Sequence, residues 1–138
     1  MGYVLEDCTL TAGPGEWAKA VVHAWQRWEA DKVIVEQNFG GAMAEHTIRT
    51  AHASVPIKMI VSSRGKAVRA EPIAALYEPN QEKVKHLGYM ADLEDQMAAM
   101  MPNPTGYTGD GSPDRMDAKV FALSELMLQG AYNLDNLG

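Results

Sequence analysis

The chain has 138 residues, the size of one domain, and 46% of them are hydrophobic, which is enough for a single sizeable core. With 22% charged residues and one cysteine, Cys8, the composition excludes a disordered tail, a collagen-like fibre and a disulfide scaffold. No apolar run reaches the roughly 18 residues that a membrane span needs, and residues 1–10 lack the features of a signal peptide. We therefore expect a soluble, intracellular protein without a membrane partner.

Charge is unevenly distributed along the chain. The net charge of −6, from 12 basic and 18 acidic residues, argues against a general nucleic-acid binder. Residues 46–88, however, hold seven basic and three acidic residues, a local charge of +4 that leaves −10 for the rest. A basic middle between acidic ends would place cations around a polyanion, although chance sorting of charges explains the pattern equally well.

The first half of the chain alternates between predicted strands and helices. Apolar residues recur with a 3.6-residue period in the first helix, at Trp17, Val21, Ala24, Trp25 and Trp28. The β-branched run at 32–35 is short and apolar, as in a buried parallel strand. The predicted elements are a strand at 3–5, a helix at 14–29, a strand at 32–35, a helix at 42–53 and a strand at 57–61.

The second half continues the alternation and ends in helices. Here the predicted elements are a helix at 67–77 that contains Pro72, a strand at 84–87, a helix at 92–101, a loop at 102–113 and a helix at 114–129. Pro113 precedes the last helix and Gly130 follows it, the usual residues at a helix start and end. The order of elements predicts an α/β fold with right-handed crossovers.

Three carboxylates occupy positions where α/β folds often carry chemistry. Glu36 follows a predicted buried strand, and ligands of open α/β sheets bind outside the carboxyl ends of the strands. Asp114 and Asp117 are three residues apart at the start of the last helix and so share a face. Three converging carboxylates would suit Mg²⁺ or Mn²⁺, which prefer oxygen ligands. For Asp114 and Asp117 the alternative is simple helix capping, because acidic residues suit the helix dipole.

Two other kinds of site are excluded by spacing. Lys66 lies in no phosphate-loop pattern, because the sequence around it lacks the earlier glycine and the following Ser or Thr, so we expect no ATP site. The four histidines are not spaced from Cys8 as zinc ligands usually are, so we expect no zinc site. They are His23, His46, His52 and His86.

Five segments together resemble one family. They are residues 14–18, 30–41, 65–72, 93–97 and 112–118, and the last contains an Asp-x-x-Asp-Ala ending. In this order they resemble the C-terminal nuclease domain of the large terminase subunit of tailed bacteriophages. The resemblance implies a three-layer α/β fold of the ribonuclease-H-like type, formed by one partial domain over residues 1–138 without the packaging ATPase domain.

The resemblance also implies an activity and its residues. The family cuts concatemeric phage DNA with divalent metal held by acidic residues, so the implied function is a metal-dependent endonuclease that cuts double-stranded DNA by two-metal hydrolysis with Mg²⁺ or Mn²⁺. The implied catalytic residues and metal ligands are Glu36, Asp114 and Asp117, with Asp117 the more certain of the two aspartates. The implied residues near the DNA backbone are Asn38, Arg64, Lys66 and Arg69.

In one respect the chain departs from the family pattern. The family's first catalytic Asp lies on a strand before the segment that matches residues 3–7, whereas this chain begins at Met1. Asp7 is a poor substitute, because it comes at the end of a later strand. We therefore expect a fold truncated at the N-terminus, with weak or no activity. An unpaired sheet edge and exposed apolar surface would then favour a homo-oligomer.

Other partners and functions follow from the same resemblance. The implied partners besides DNA are the terminase ATPase portion, the small terminase subunit and the portal, in the cytoplasm of a bacterial host cell. The alternative function is a non-catalytic DNA-binding or assembly module, a prophage remnant that keeps only the fold. A related resolvase or transposase-type nuclease is the third hypothesis, distinguished by a preference for branched DNA.

Overall fold

The structure, a computed structural model, describes residues 1–37, 40–61 and 64–128. In chain order its elements are β1 (Gly2–Val4), α1 (Pro14–Arg27), β2 (Val33–Glu36), α2 (Gly41–Ala51), β3 (Ile57–Ile60), α3 (Lys66–Tyr77), β4 (Val84–His86), α4 (Ala91–Ala99) and α5 (Asp114–Leu123). A π-helical segment, Ser124–Leu128, continues α5. Within the described ranges, no helix is both long enough and apolar enough to cross a bilayer.

The described residues form two compact units, and the smaller one comprises 8–61. Its strands β2 and β3 pair in parallel, with Val33 opposite Ile57 and Glu36 opposite Ile60. Helices α1 and α2 pack against each other over a small core of buried residues, Ala18, Val22, Ile48 and Val55. Whether the chain is one domain over 1–138 stays a prediction.

Helix α1 follows the predicted period with one correction at its end. Pro14 occupies the start of the helix, where its missing N–H costs nothing, and the helix ends at Arg27. Ala18 and Val22 are buried, and Trp17, Val21 and Trp25 pack around them half-buried. Trp28 lies past the end of the helix and stays 38% exposed, so the apolar stripe is one residue shorter than predicted.

The larger unit comprises residues 1–7 and 64–128. Its strands β1 and β4 pair in parallel, with Gly2 opposite Val84 and Val4 opposite His86. Helices α3 and α5 each contribute one apolar face to the buried core. On each helix the buried side chains are three to four residues apart. The buried residues are Ala70, Ile73, Leu76, Val84, Leu93, Met116, Val120 and Leu123.

The predicted elements are confirmed in type and order, with shifts at their ends. Glu36 is the last residue of β2 instead of following it. Helix α4 ends at Ala99, because Met100 pairs with Tyr107 in an isolated antiparallel bridge that partly orders the predicted loop. The last helix stays α-helical only as far as Leu123. Its predicted end at residue 129 lies outside the described residues.

Candidate metal centre

Four charged side chains face one another across helices α3 and α5 of the larger unit. Lys66 begins α3 and Arg69 lies one turn later, while Asp114 begins α5 and Asp117 lies one turn later. A spacing of three residues places each pair on one face of its helix. The cationic face of α3 thereby meets the anionic face of α5. We refer to Lys66, Arg69, Asp114 and Asp117 as the charge cluster.

The innermost contact of the charge cluster joins Arg69 and Asp117. The Nη2 atom of Arg69 donates to both carboxylate oxygens of Asp117, at 2.8 and 2.9 Å. The Asp117 side chain is 6% exposed and that of Arg69 is 12% exposed. The guanidinium also lies 4.9 Å from the ring centre of Phe121 and donates through Nη1 to the carbonyl of Arg64. The buried carboxylate is thus compensated by a fixed cation.

The ammonium group of Lys66 lies between the two carboxylates. Its Nζ is 3.4 Å from Oδ1 of Asp114 and 3.9 Å from Oδ2 of Asp117, and it donates to the hydroxyl of Ser112 at 2.8 Å. The Lys66 side chain is 35% exposed, so water reaches it. The two carboxylates therefore converge on one positive centre that is open to solvent.

Asp114 is the exposed member of the charge cluster. Its side chain is 78% exposed, and its Oδ1 accepts a hydrogen bond from Ser112 Oγ at 2.7 Å. This hydrogen bond lowers the pKa of Asp114, and Lys66 lowers it further. Asp114 is therefore charged at neutral pH. Sequence reasoning missed Ser112, although serine just before a helix is a common capping signal.

Backbone contacts fix the start of α5. The N–H of Met116 donates to Oε1 of Gln96 at 3.0 Å, and the N–H of Asp117 donates to the carbonyl of Pro113 at 2.9 Å. These bonds satisfy donors that the first helical turn leaves unpaired. The position of Asp117 is thus set by its backbone as well as by Arg69.

Asp7 has a cationic partner on helix α5. Nε of Arg115 lies 3.0 Å from Oδ2 of Asp7, and the guanidinium lies 3.7 Å from Oδ2 of Asp92. In this structure Asp7 is an ion-pair partner of α5.

The third predicted acid, Glu36, belongs to the smaller unit. It ends β2 opposite Ile60, whose carbonyl accepts from the N–H of Gln37 at 2.7 Å. A Cβ atom on Gly41 would lie only 2.6 Å from the carbonyl oxygen of Glu36, so the start of α2 rests directly on the end of β2. Asn38, predicted to approach DNA, lies outside the described residues.

The donor chemistry of the charge cluster fits one hard divalent ion. Across the described part of the chain, no group of three or more His, Cys, Asp or Glu side chains is placed to hold a metal. Asp114 and Asp117 nevertheless supply oxygen donors that already converge on a single cationic centre. A metal ion there would take the place of the Lys66 ammonium. A shared site with Glu36 stays a prediction.

Comparison with known proteins identifies the family. A family model described as a terminase RNaseH-like domain matches residues 9–126. The chain belongs to this family. The match includes Glu36 and the whole charge cluster, and it confirms both the resemblance to a terminase nuclease-type domain and the ribonuclease-H-like α/β fold. Searches of curated proteins and of solved structures find no match.

This terminase RNaseH-like domain holds a second polar cluster that sequence reasoning missed. The Tyr77 hydroxyl lies 2.8 Å from Nε2 of His86, and Nδ1 of His86 lies 3.8 Å from Oε2 of Glu94. The Lys119 ammonium lies 4.4 Å from the centre of the Tyr77 ring. The four residues come from α3, β4, α4 and α5, so no local spacing in the sequence indicates them.

Burial controls the ionisation of this second cluster. It lowers the pKa of Lys119 to about 8. Burial and the nearby Lys119 ammonium lower the pKa of His86 against the opposing effect of the Glu94 carboxylate, and burial raises the pKa of Tyr77. All three pKa shifts favour the uncharged form of the side chain. The cluster is therefore a part of the core that tolerates charge poorly.

Proposed function

We propose that this terminase RNaseH-like domain is an endonuclease that cuts double-stranded DNA with Mg²⁺ or Mn²⁺. Asp114 and Asp117 would hold the ion, and Glu36 would be the third catalytic acid and metal ligand. The observation that carries the proposal is the convergence of both α5 carboxylates on one cationic centre, at 3.4 and 3.9 Å. Membership of the family supports the reaction class.

The two aspartates differ in what they contribute. Asp117 is buried and held in place by Arg69, so it supplies an oriented oxygen with little loss of freedom. Asp114 is largely exposed, so it can reach an ion that arrives from solvent. A bound ion of this kind would activate a water molecule and stabilise the leaving oxygen of a phosphodiester.

Cations at the start of α3 would guide the DNA backbone. Arg64 is exposed and Lys66 is half-exposed. Contacts with phosphate groups supply most of the non-specific affinity of a protein for DNA. Arg69 is engaged with Asp117 by two hydrogen bonds, so it would lie near the DNA backbone while it keeps that carboxylate oriented. Interaction with the ATPase portion, the small terminase subunit and the portal, together with self-association, belongs to the same proposal.

Cleavage of supercoiled plasmid with Mn²⁺ or Mg²⁺ tests the proposal. We expect the wild type to cut and Glu36→Gln and Asp114→Asn to cut at least about 100-fold more slowly, because each removes a ligand charge. Asp95→Asn, which changes an exposed acid on α4, should keep the wild-type rate and controls for a contaminating nuclease. A folded wild type that does not cut, or ligand variants that cut as fast, would show the proposal to be wrong.

A non-catalytic DNA-binding or assembly module is the second candidate. It is favoured by the pairing in the charge cluster, where each carboxylate already faces a cation. Such a module would bind duplex DNA with an affinity that falls as salt is raised and would leave the plasmid intact. A mobility-shift titration beside the cleavage assay separates the two candidates.

A further inference from the structure

The charge cluster is electrically balanced without any metal ion. Two carboxylates face one ammonium and one guanidinium, and both carboxylates lie within 4 Å of Lys66 Nζ, at 3.4 and 3.9 Å. A divalent ion needs these same oxygens. Two positive centres about 4 Å apart repel each other strongly at a partly buried site, where the effective dielectric constant is about 20. The ammonium and the metal ion therefore exclude each other.

We propose that Lys66 is a resident counter-ion that occupies the metal position and is displaced when a divalent cation binds. The inference depends on the proposed function only in taking Asp114 and Asp117 as the metal ligands. Lys66 would hold the two carboxylates together while no ion is bound, and it would lower the affinity of the site for metal. Metal binding then becomes an exchange of one cation for another.

Lys66, and not Arg69, is the cation placed to leave. The Lys66 side chain is 35% exposed, against 12% for Arg69. Its contacts with the carboxylates are 3.4 and 3.9 Å long, whereas Arg69 holds Asp117 with two hydrogen bonds of 2.8 and 2.9 Å and lies against Phe121. A lysine at the first position of α3 can turn into solvent without moving the helix. The displaced ammonium can then contact a phosphate.

Binding of Mn²⁺ to the purified chain, followed by titration calorimetry or by the electron paramagnetic resonance of the unbound ion, tests the exchange. We expect Lys66→Met to bind Mn²⁺ about tenfold more tightly than the wild type, because one unit of repelling charge is removed. Lys66→Gln should behave similarly and serves if Lys66→Met folds poorly. Lys85→Met, on the exposed side of β4, should bind as the wild type does.

The outcomes separate this inference from the proposed function. Tighter Mn²⁺ binding by both Lys66 variants, abolished by adding Asp114→Asn, supports the exchange even if the wild type does not cut DNA. Unchanged or weaker binding by folded Lys66 variants overturns the exchange, even if the wild type binds metal and cuts. If no protein binds Mn²⁺, both the exchange and the proposed metal site are wrong.

Discussion

Asp117 and Glu36 are two predicted catalytic acids that lie in different units, and the structure shows different contacts around them. Asp117 has a buried side chain, whose oxygens accept two hydrogen bonds from Arg69 at 2.8 and 2.9 Å. At Glu36 the backbone pairs with Ile60 across β2 and β3 and supports the start of α2 at Gly41. The two units are therefore sensitive to different kinds of substitution.

The difference predicts which substitutions cost stability in each unit. Around Asp117, removal of one charge disturbs a buried ion pair, because it leaves the other partner without compensation. Around Glu36, added bulk at Gly41 disturbs the close contact between the end of β2 and the start of α2. Measurements of unfolding free energy can therefore break or sharpen the contrast.

Arg69→Met should give the largest loss. It leaves the Asp117 carboxylate buried without its guanidinium, which we expect to lower the free energy of unfolding by about 3 kcal/mol. Urea denaturation followed by circular dichroism measures the loss. Asp114→Asn is the matched control, because its side chain is 78% exposed and its removal should change stability little. Equal effects of the two variants would contradict the contrast between buried and exposed members of the charge cluster.

Gly41→Ala should give the next largest loss, this time in the smaller unit. The added Cβ would lie 2.6 Å from the carbonyl oxygen of Glu36 and 3.1 Å from Cε of Met59, so α2 must shift, at a cost of about 2 kcal/mol. Gly15→Ala is the control, because a Cβ there meets nothing within 4 Å. A fully stable Gly41→Ala variant would show that α2 does not rest on the backbone of Glu36.

The sequence predicts the positions of these acids better than their surroundings. Pro113 and the three-residue spacing of Asp114 and Asp117 identify the start of α5, and a β-branched run places Glu36 at a strand end. The partners of the aspartates were not predictable. Arg69 is 48 positions from Asp117, and Lys66 is 48 positions from Asp114, so only the packing of α3 on α5 joins them.

Lys119 is a partly buried cation on α5 without, among the described residues, the carboxylate partner that would offset its burial. Lys119→Met should raise the free energy of unfolding at pH 7 by about 1 to 2 kcal/mol. Burial lowers the pKa of Lys119 by more than two units, so removal of this cation should contribute about 3 kcal/mol of stability. Loss of its contact with the Tyr77 ring should offset about 1 kcal/mol of that gain. Thermal or urea unfolding at pH 7 measures the gain.

The pH dependence of that gain has a definite sign. In the folded chain Lys119 titrates at about 8 and in the unfolded chain at its ordinary value of 10.5, so wild-type folding expels a proton between these values. The cost of the lysine is complete below pH 8 and fades as pH rises toward 10.5. The advantage of Lys119→Met should therefore shrink over this range, and an advantage that stays constant to pH 10.5 would show that burial of charge is not its cause.

Glu36→Gln separates structure from function in the smaller unit, because it removes the charge of the predicted catalytic acid and keeps the backbone contacts. Glutamine keeps the size and a hydrogen-bonding oxygen of the side chain, and the backbone pairing with Ile60 and the contact with Gly41 are unchanged, so we expect β2 and α2 to keep their positions. Loss of DNA cleavage by a variant with wild-type urea unfolding would assign Glu36 to the chemistry. A large loss of stability would instead place its charge among the contacts that hold the smaller unit together.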